Sequence, residues 1–421
     1  LLLHLLAVFL VFRLASTLPS AHPLATPKPG EGGPIRPCVP PSLRPAFPLP
    51  LLLALLFGLH PALTEAVQMP SYREDLLAGV FAFAYLLSVL RGRLGWGLGW
   101  FALALLSKES ALALPAVALL LWALFPSLRP PVRVQVAHVA AAGLLVAAYA
   151  WAAFLHRPAQ AISVAWNGYS LPWPDNLLRA PGIFLFYLRL LVVPWPLCAD
   201  RAVPMLPWPL ALCGLGALLY LAWRLRRNRP LVSFGIGWLL LTFLPVSNLL
   251  PLFNPVGERY LYLMAPGLLW VVAGFAPARW RVPLALAAAV FLILVPLRLR
   301  DWRNDETLWT AVRRVNPDSA RAHTWLGLLA KRAGRLDEAG ALFGRAEVLN
   351  PHDVSALVNL AILDGQAGRL PEAEAQLREA VRRRPDRADS WQNLALALRL
   401  QGREAEAAQA EAEAAARQPR W

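Results

Sequence analysis

Residues 320–353 read ARAHTWLGLLAKRAGRLDEAGALFGRAEVLNPHD, residues 354–387 read VSALVNLAILDGQAGRLPEAEAQLREAVRRRPDR, and residues 388–421 read ADSWQNLALALRLQGREAEAAQAEAEAAARQPRW. Written one above another, the three lines align without a gap. Leu326, Leu360 and Leu394 share a column, as do Gly334, Gly368 and Gly402. So do Ala339, Ala373 and Ala407, then Ala346, Ala380 and Ala414, then Pro351, Pro385 and Pro419. Small residues recur where two helices touch and a proline closes each unit, so the segment reads as stacked helix pairs.

A 34-residue period is that of the tetratricopeptide repeat. Trp309 and Pro317 continue the phase backward. A degenerate half-repeat is therefore expected at 303–317, before full repeats at about 320–351, 354–385 and 388–419. Such an array either holds a peptide or protein in its concave groove or serves as a rigid cap, and its repeats alone do not choose between these.

Upstream of about Arg300 the composition changes. The 421-residue chain is 57% hydrophobic and 16% charged, away from the soluble balance of about half and about a quarter. Its Leu-, Ala-, Val- and Trp-rich runs end near Leu297. With roughly 17 to 25 apolar residues needed per crossing, candidate spans are Leu1–Leu18, Phe47–Leu63, Leu76–Leu90, Leu94–Leu106 and Ala111–Phe125. Further candidates are Val134–Leu155, Pro181–Cys198, Leu206–Trp223, Leu231–Leu250, Tyr260–Phe275 and Val282–Leu297. The expected fold is all-α, a polytopic membrane helix bundle over 1–300 followed by a tetratricopeptide α-solenoid over 301–421.

Short basic loops set orientation. Lys28 to Arg44, Arg91/Arg93, Arg129/Arg133, Arg224 to Arg229 and Arg279/Arg281 all stay cytoplasmic if Pro181–Cys198, with Arg189, Pro194 and Pro196, is re-entrant rather than spanning. About ten crossings result, with the repeats extracytoplasmic. Ser20 to Pro45, rich in Pro and Gly, reads as a cytoplasmic linker. The net charge of +15 is explained by topology, so no nucleic-acid partner is expected. Cys38, Cys198 and Cys213 have no metal-ligand spacing, and neither metal nor cofactor is expected. A start at Leu1 inside an apolar run reads as a cut.

This topology gathers polar residues at the outer helix ends. His60, Thr64 and Glu65 close the second span; Tyr72, Arg73, Glu74 and Asp75 open the third. Lys108 and Glu109 end the fourth, and Asn254, Glu258, Arg259, Tyr260 and Tyr262 open the tenth segment. Solvated turns and interfacial tyrosines would explain some of these. The Lys108–Glu109 pair interrupts an apolar stretch, and intramembrane charge is costly and by default functional. Arg259 suits a phosphate, which its planar fork can hold at two oxygens. No Walker A loop, dinucleotide fingerprint, HExxH or GxSxG motif competes.

Residues 59–67 (LHPALTEAV) with Arg73-Glu74-Asp75-Leu76-Leu77, residues 106–110 (LSKES), and residues 258–263 (ERYLYL) occur in that order before the repeats. Together they resemble the signature of the transmembrane and tetratricopeptide-repeat-containing O-mannosyltransferases and their bacterial relatives. The chain departs from it at Ala62-Leu63, where a second histidine is usual.

The resemblance implies a GT-C type glycosyltransferase in a bacterial inner membrane, moving a mannose-like sugar from a polyprenyl-phosphate donor to a protein Ser/Thr or glycan hydroxyl on the extracytoplasmic face. It implies Arg259 and Lys108 as donor-phosphate ligands, with His60, Glu65, Arg73, Glu74, Glu109, Glu258 and Tyr262 shaping the site. It places the catalytic acid before Leu1. The competing readings are a non-enzymatic membrane-anchored repeat scaffold and a polyprenyl-linked substrate transporter. Transporter sites lie near the midplane at broken helices, which outward clustering of charge disfavours. A reporter active only in the cytoplasm, fused after Trp421, is expected to stay silent; strong activity would reverse the topology.

Overall fold

The computed structural model describes residues 1–18, 48–156, 175–204, 206–249, 252 and 254–417. The linker expected at Ser20 to Pro45, with Cys38, lies outside them. Every regular element among the described residues is helical. The described residues divide into two compact units, one drawn from 1–156, 175–197 and 203–300, the other from 198–202 and 301–417.

The first unit contains α1 (Leu2–Thr17), α2 (Leu49–Gly58), α3 (Thr64–Gln68), α4 (Arg73–Leu90), α5 (Leu94–Ser107) and α6 (Leu114–Leu124). It continues with α7 (Val132–His156), α8 (Asp175–Val192), α9 (Trp208–Leu225), α10 (Pro230–Phe243), α11 (Leu261–Phe275) and α12 (Arg281–Asp301). Among the described residues three helices are long and apolar enough to cross a membrane: 132–152 of α7, α9 and α12. The α2–α3 pair, bent by 48° at His60, is a fourth if counted as one span.

These long helices bury little of themselves, between 6% and 11% of their most apolar windows. Leu144, Trp151, Leu210, Leu219, Leu286 and Ile293 point outward. Unbroken apolar faces of this size are unstable in water and suited to lipid tails. The chain is a membrane protein on this evidence and on its composition.

Several other expected spans are short helices. The 94–125 stretch breaks at Lys108, whose φ of −160° and ψ of 140° are extended. The 14 residues of α5 and the 11 of α6 rise only about 21 and about 17 Å, against a hydrocarbon core of about 30 Å. At 108 the chain turns into a 3₁₀ segment, Glu109–Ala113, because the lysine leaves the helix to meet carboxylates described below. Pro181–Cys198 is helical only to Val192 and irregular after it.

The tightest packing joins α10 and α11. A Cβ on Gly235 would stand 2.5 Å from the Gly267 carbonyl oxygen and 2.7 Å from the Val271 nitrogen, and one on Gly274 would stand 2.8 Å from the Val232 nitrogen. Backbone meets backbone here, the close approach that small residues allow between membrane helices. Trp238 donates Nε1–H to the Leu263 carbonyl at 2.8 Å and locks the pair's rotation.

In the second unit α13 (Asp305–Val315) precedes α14 (Ala320–Arg332), α15 (Leu336–Leu349), α16 (Ser355–Gln366), α17 (Leu370–Arg383), α18 (Ala388–Leu400) and α19 (Glu404–Arg417). Gly334, Gly368 and Gly402 sit at φ of +76°, +79° and +77° between the helices of each pair, left-handed positions that glycine takes without strain. Ala339, Ala373 and Ala407 are buried at 0–1% exposure. Gly327 admits the Phe343 ring, 2.6 Å from where a Cβ would be. Asn304 and Thr307 form a capping box on α13. Residues 198–202 belong to this unit. Cys198 packs on Val312 and Ala322, while Asp200 accepts from Ser319 and from Arg321 at 3.1 Å.

Gly235→Ala is expected to cost about 1–3 kcal/mol, because both obstructing atoms are backbone. Gly99, with open space around its Cβ position, is the control, and Gly99→Ala should be neutral or stabilising by up to about 1 kcal/mol. Thermal unfolding of the two variants in detergent checks this; equal midpoints would refute the packing account.

Candidate functional site

The break between α2 and α3 starts the site. His60 accepts the Ala62 N–H at Nδ1 (3.3 Å) and faces the Leu191 carbonyl with Nε2 (2.9 Å). Nε2 must therefore carry the proton, which makes His60 a neutral tie between the α2 end and α8. Its ring stands edge-on to Phe291 at 4.9 Å. Thr64 donates to the Pro61 carbonyl at 2.7 Å, tightening the turn that delivers Glu65 into the interior.

Glu65, 1% exposed, meets the 3₁₀ turn Glu258–Tyr260 at the head of α11. Its Oε1 accepts from Arg259 Nη1 at 3.0 Å and its Oε2 from the Arg259 backbone N–H at 3.2 Å. The guanidinium lies 4.5 Å from the ring centres of both Tyr72 and Tyr260. It also donates to both hydroxyls, at 3.3 Å and 3.0 Å. A Cβ on Gly257 would fall 2.9 Å from Arg259 Nη1, so any larger residue there would shift the guanidinium. The Gly257 N–H donates to the Tyr187 hydroxyl of α8 at 3.1 Å.

A second cation lies alongside. Lys108 Nζ is 2.6 Å from Asp75 Oδ1 and 3.2 Å from Glu74 Oε1, and 5.8 Å from the centre of the Tyr260 ring. One tyrosine thus touches both positive groups. Asp75 is 7% exposed, and its Oδ2 is buried without a hydrogen-bond partner. A third buried pair joins Glu258 to Arg298 of α12 at 3.2 Å.

The structure therefore brings His60, Glu65, Glu74, Lys108, Glu258 and Arg259 into one region of the first unit. Tyr262 is buried beneath it, its hydroxyl 2.9 Å from His4 Nδ1. Arg73 and Glu109 are exposed. Tyr187, Arg298 and His4 escaped the sequence reading because none belongs to a polar cluster in the sequence, and only folding shows what each faces. Tyr72 and Asp75 were visible in the sequence without a role, since only folding shows what they face. No group of His, Cys, Asp and Glu among the described residues could hold a metal ion.

Buried charge of this kind costs several kcal/mol per ion unless paired. Each cation here is paired, and both Arg259 and Lys108 lie beside the Tyr260 ring. The arrangement can stabilise negative charge on a ligand that enters, which is the use made of convergent cations in phosphoryl and glycosyl chemistry.

Bundle and repeats together define the class, a helical membrane protein carrying tetratricopeptide repeats. The family model described as Tetratricopeptide repeat matches residues 284–354 and 358–420. The chain is 30% identical over 195 residues to the protein O-mannosyl-transferase Tmtc3 of Drosophila melanogaster, covering 39% of this chain and 21% of that protein. It is 30% identical over 181 residues to the protein O-mannosyl-transferase TMTC4 of Mus musculus and to that of Homo sapiens, covering 36% of this chain and 24% of each. The match thus spans about a fifth to a quarter of the length of these curated relatives. Over these stretches the chain is similar to proteins named as protein O-mannosyl-transferases.

Glu65→Gln is expected to destabilise the first unit by about 3–5 kcal/mol, because it strands Arg259 as a buried, uncompensated charge. Glu74→Gln should cost less than about 1 kcal/mol, since Glu74 is half-exposed and Asp75 still holds Lys108. Unfolding of both variants in mild detergent decides; equal losses would mean that the Glu65–Arg259 pair does not anchor the fold.

Proposed function

We propose that the protein is an integral-membrane glycosyltransferase that moves a mannose-like sugar from a polyprenyl phosphate to an acceptor hydroxyl at the extracytoplasmic face. The observation that carries this reading is the pairing of Lys108 and Arg259 around the Tyr260 ring, within the segments whose order resembles the O-mannosyltransferases. Relatedness to proteins named as O-mannosyl-transferases supports transfer of a sugar.

In the proposed reaction the acceptor oxygen attacks the anomeric carbon. The bond between that carbon and the phosphate oxygen breaks, and the polyprenyl phosphate departs with the electron pair. The hydroxyl proton passes to a carboxylate base, which must stand within hydrogen-bond reach of the acceptor. Negative charge grows on the leaving phosphate, and Arg259 and Lys108 provide fixed positive charge where it grows. Glu65, Glu74 and Asp75 hold both cations in place before the donor arrives, so little reorganisation accompanies the chemistry. The repeats would present or select a protein acceptor through their groove.

Arg259→Lys keeps the charge but loses the planar fork that reaches Glu65, Tyr72 and Tyr260 together. Transfer from a polyprenyl-phosphate mannose is expected to fall by about 10- to 1000-fold. The unfolding temperature of the same preparation separates lost chemistry from lost fold. Wild-type turnover in the variant would end the phosphate assignment, and absence of any transfer by the unmodified protein would favour the scaffold.

A further inference from the structure

Charge in the first unit is sorted along its helices. Glu65, Glu74, Asp75 and Glu258 gather with Lys108 and Arg259 around the head of α11. That helix runs 15 residues to its tail at Phe275, a rise of about 22 Å. Two turns meet at the tail. The α9–α10 turn carries Arg224, Arg226, Arg227 and Arg229, and the α11–α12 turn carries Arg279 and Arg281. Arg229 ties the first turn to the end of α11, since its Nη1 donates to the Gly274 carbonyl at 2.9 Å and its guanidinium lies 5.3 Å from the centre of the Phe275 ring. Ser233 Oγ donates to the Ala222 carbonyl at 2.7 Å and fixes the last turns of α9 on α10. The chain has no Asp or Glu between Arg201 and Gly257, or between Arg259 and Arg300. Among the described residues none of the six arginines has a carboxylate partner.

Basic loops orient a membrane protein one by one, and orientation does not require two of them to pack together. Like charges brought together repel, the more so where water is scarce, until an anion lies between them. The adjoining surface is apolar. Leu219, Tyr220 and Trp223 in the last turns of α9 are exposed, as are Trp280, Val282 and Leu286 where α12 begins. Arg226 lies over the Trp223 ring, 4.5 Å from its centre. We propose that the two converging turns bind the headgroup of an acidic phospholipid, with Arg224, Arg227 and Arg279 on its phosphate and its acyl chains along α9 and α12. A soluble anion would gain nothing from the exposed leucines and tryptophans, and the ammonium of a zwitterionic lipid would be repelled by the arginines. Basic clusters at the ends of membrane helices suit this chemistry. The inference is independent of any sugar transfer.

The test is the rise in unfolding temperature of the full chain, purified in neutral detergent, as dioleoyl phosphatidylglycerol is titrated in. The triple variant Arg224→Gln, Arg227→Gln, Arg279→Gln is expected to need about 10- to 100-fold more lipid for the same rise, and Arg279→Gln alone about 5-fold more. Without lipid the triple variant should unfold at the wild-type temperature, because these side chains are exposed and have no internal partner. A control that removes as much charge from other basic segments, Arg91→Gln with Arg93→Gln and Arg133→Gln, should change the titration by less than about 3-fold. Dioleoyl phosphatidylcholine should stabilise little, and glycerol 3-phosphate should not compete. Equal losses in the triple variant and the control would mean a diffuse field rather than a site, and an unchanged titration for Arg279→Gln would mean that the two turns do not share one ligand. Either result, equal stabilisation by phosphatidylcholine, or full competition by glycerol 3-phosphate would overturn the assignment.

Discussion

The fold of the first unit turns on one buried ion pair. Glu65 and Arg259 lie 194 residues apart in the chain, yet the carboxylate takes both a guanidinium N–H and the backbone N–H of the arginine. Neither charge could stay at this depth alone, because desolvation of an unpaired ion costs several kcal/mol. The turn before α3 and the turn before α11 must therefore meet. Once they do, Tyr72 and Tyr260 close over the guanidinium, and Lys108 must leave its own helix to reach Asp75. The break of the 94–125 stretch combines this charge pairing with Pro115 at the head of α6, which lacks the N–H a continuous helix would need there.

This accounts for the shortness of several helices that hydropathy counts as crossings. An apolar window measures how gladly residues leave water, and α11 satisfies that condition largely as buried core, whereas α5 and α6 bury one face and expose Trp96, Leu106 and Leu119 on the other. It does not measure whether a helix is continuous. α7, α9 and α12 are different, since their apolar side chains stay on the outside and need a lipid solvent to be stable there.

The second unit follows different physics. Its contacts are between neighbouring helices, and each repeat buries the same small residues against the next. Its surface carries many exposed ion pairs such as Arg382–Glu379 and Arg403–Glu406. Pairs of that kind contribute little to stability and much to solubility. The array is held by alanine, leucine and phenylalanine at fixed intervals, with glycine making each turn.

The sequence by itself determined the class of both parts. Composition called for a membrane, and the 34-residue columns called for helix pairs, turns at Gly334, Gly368 and Gly402, and their order. Those features are legible because they depend on local spacing, which a linear chain displays directly. It also flagged Lys108 and Arg259, since a charge in an apolar run is conspicuous wherever it lies. Only the tertiary structure decided which carboxylate each cation meets, that His60 ties the end of α2 to α8, and that Arg73 stays at the surface while Lys108, Arg259 and Arg298 are buried. Pairing energies act through space between residues up to 194 positions apart, and nothing in the order of the residues encodes which turn will face which until the apolar helices have packed.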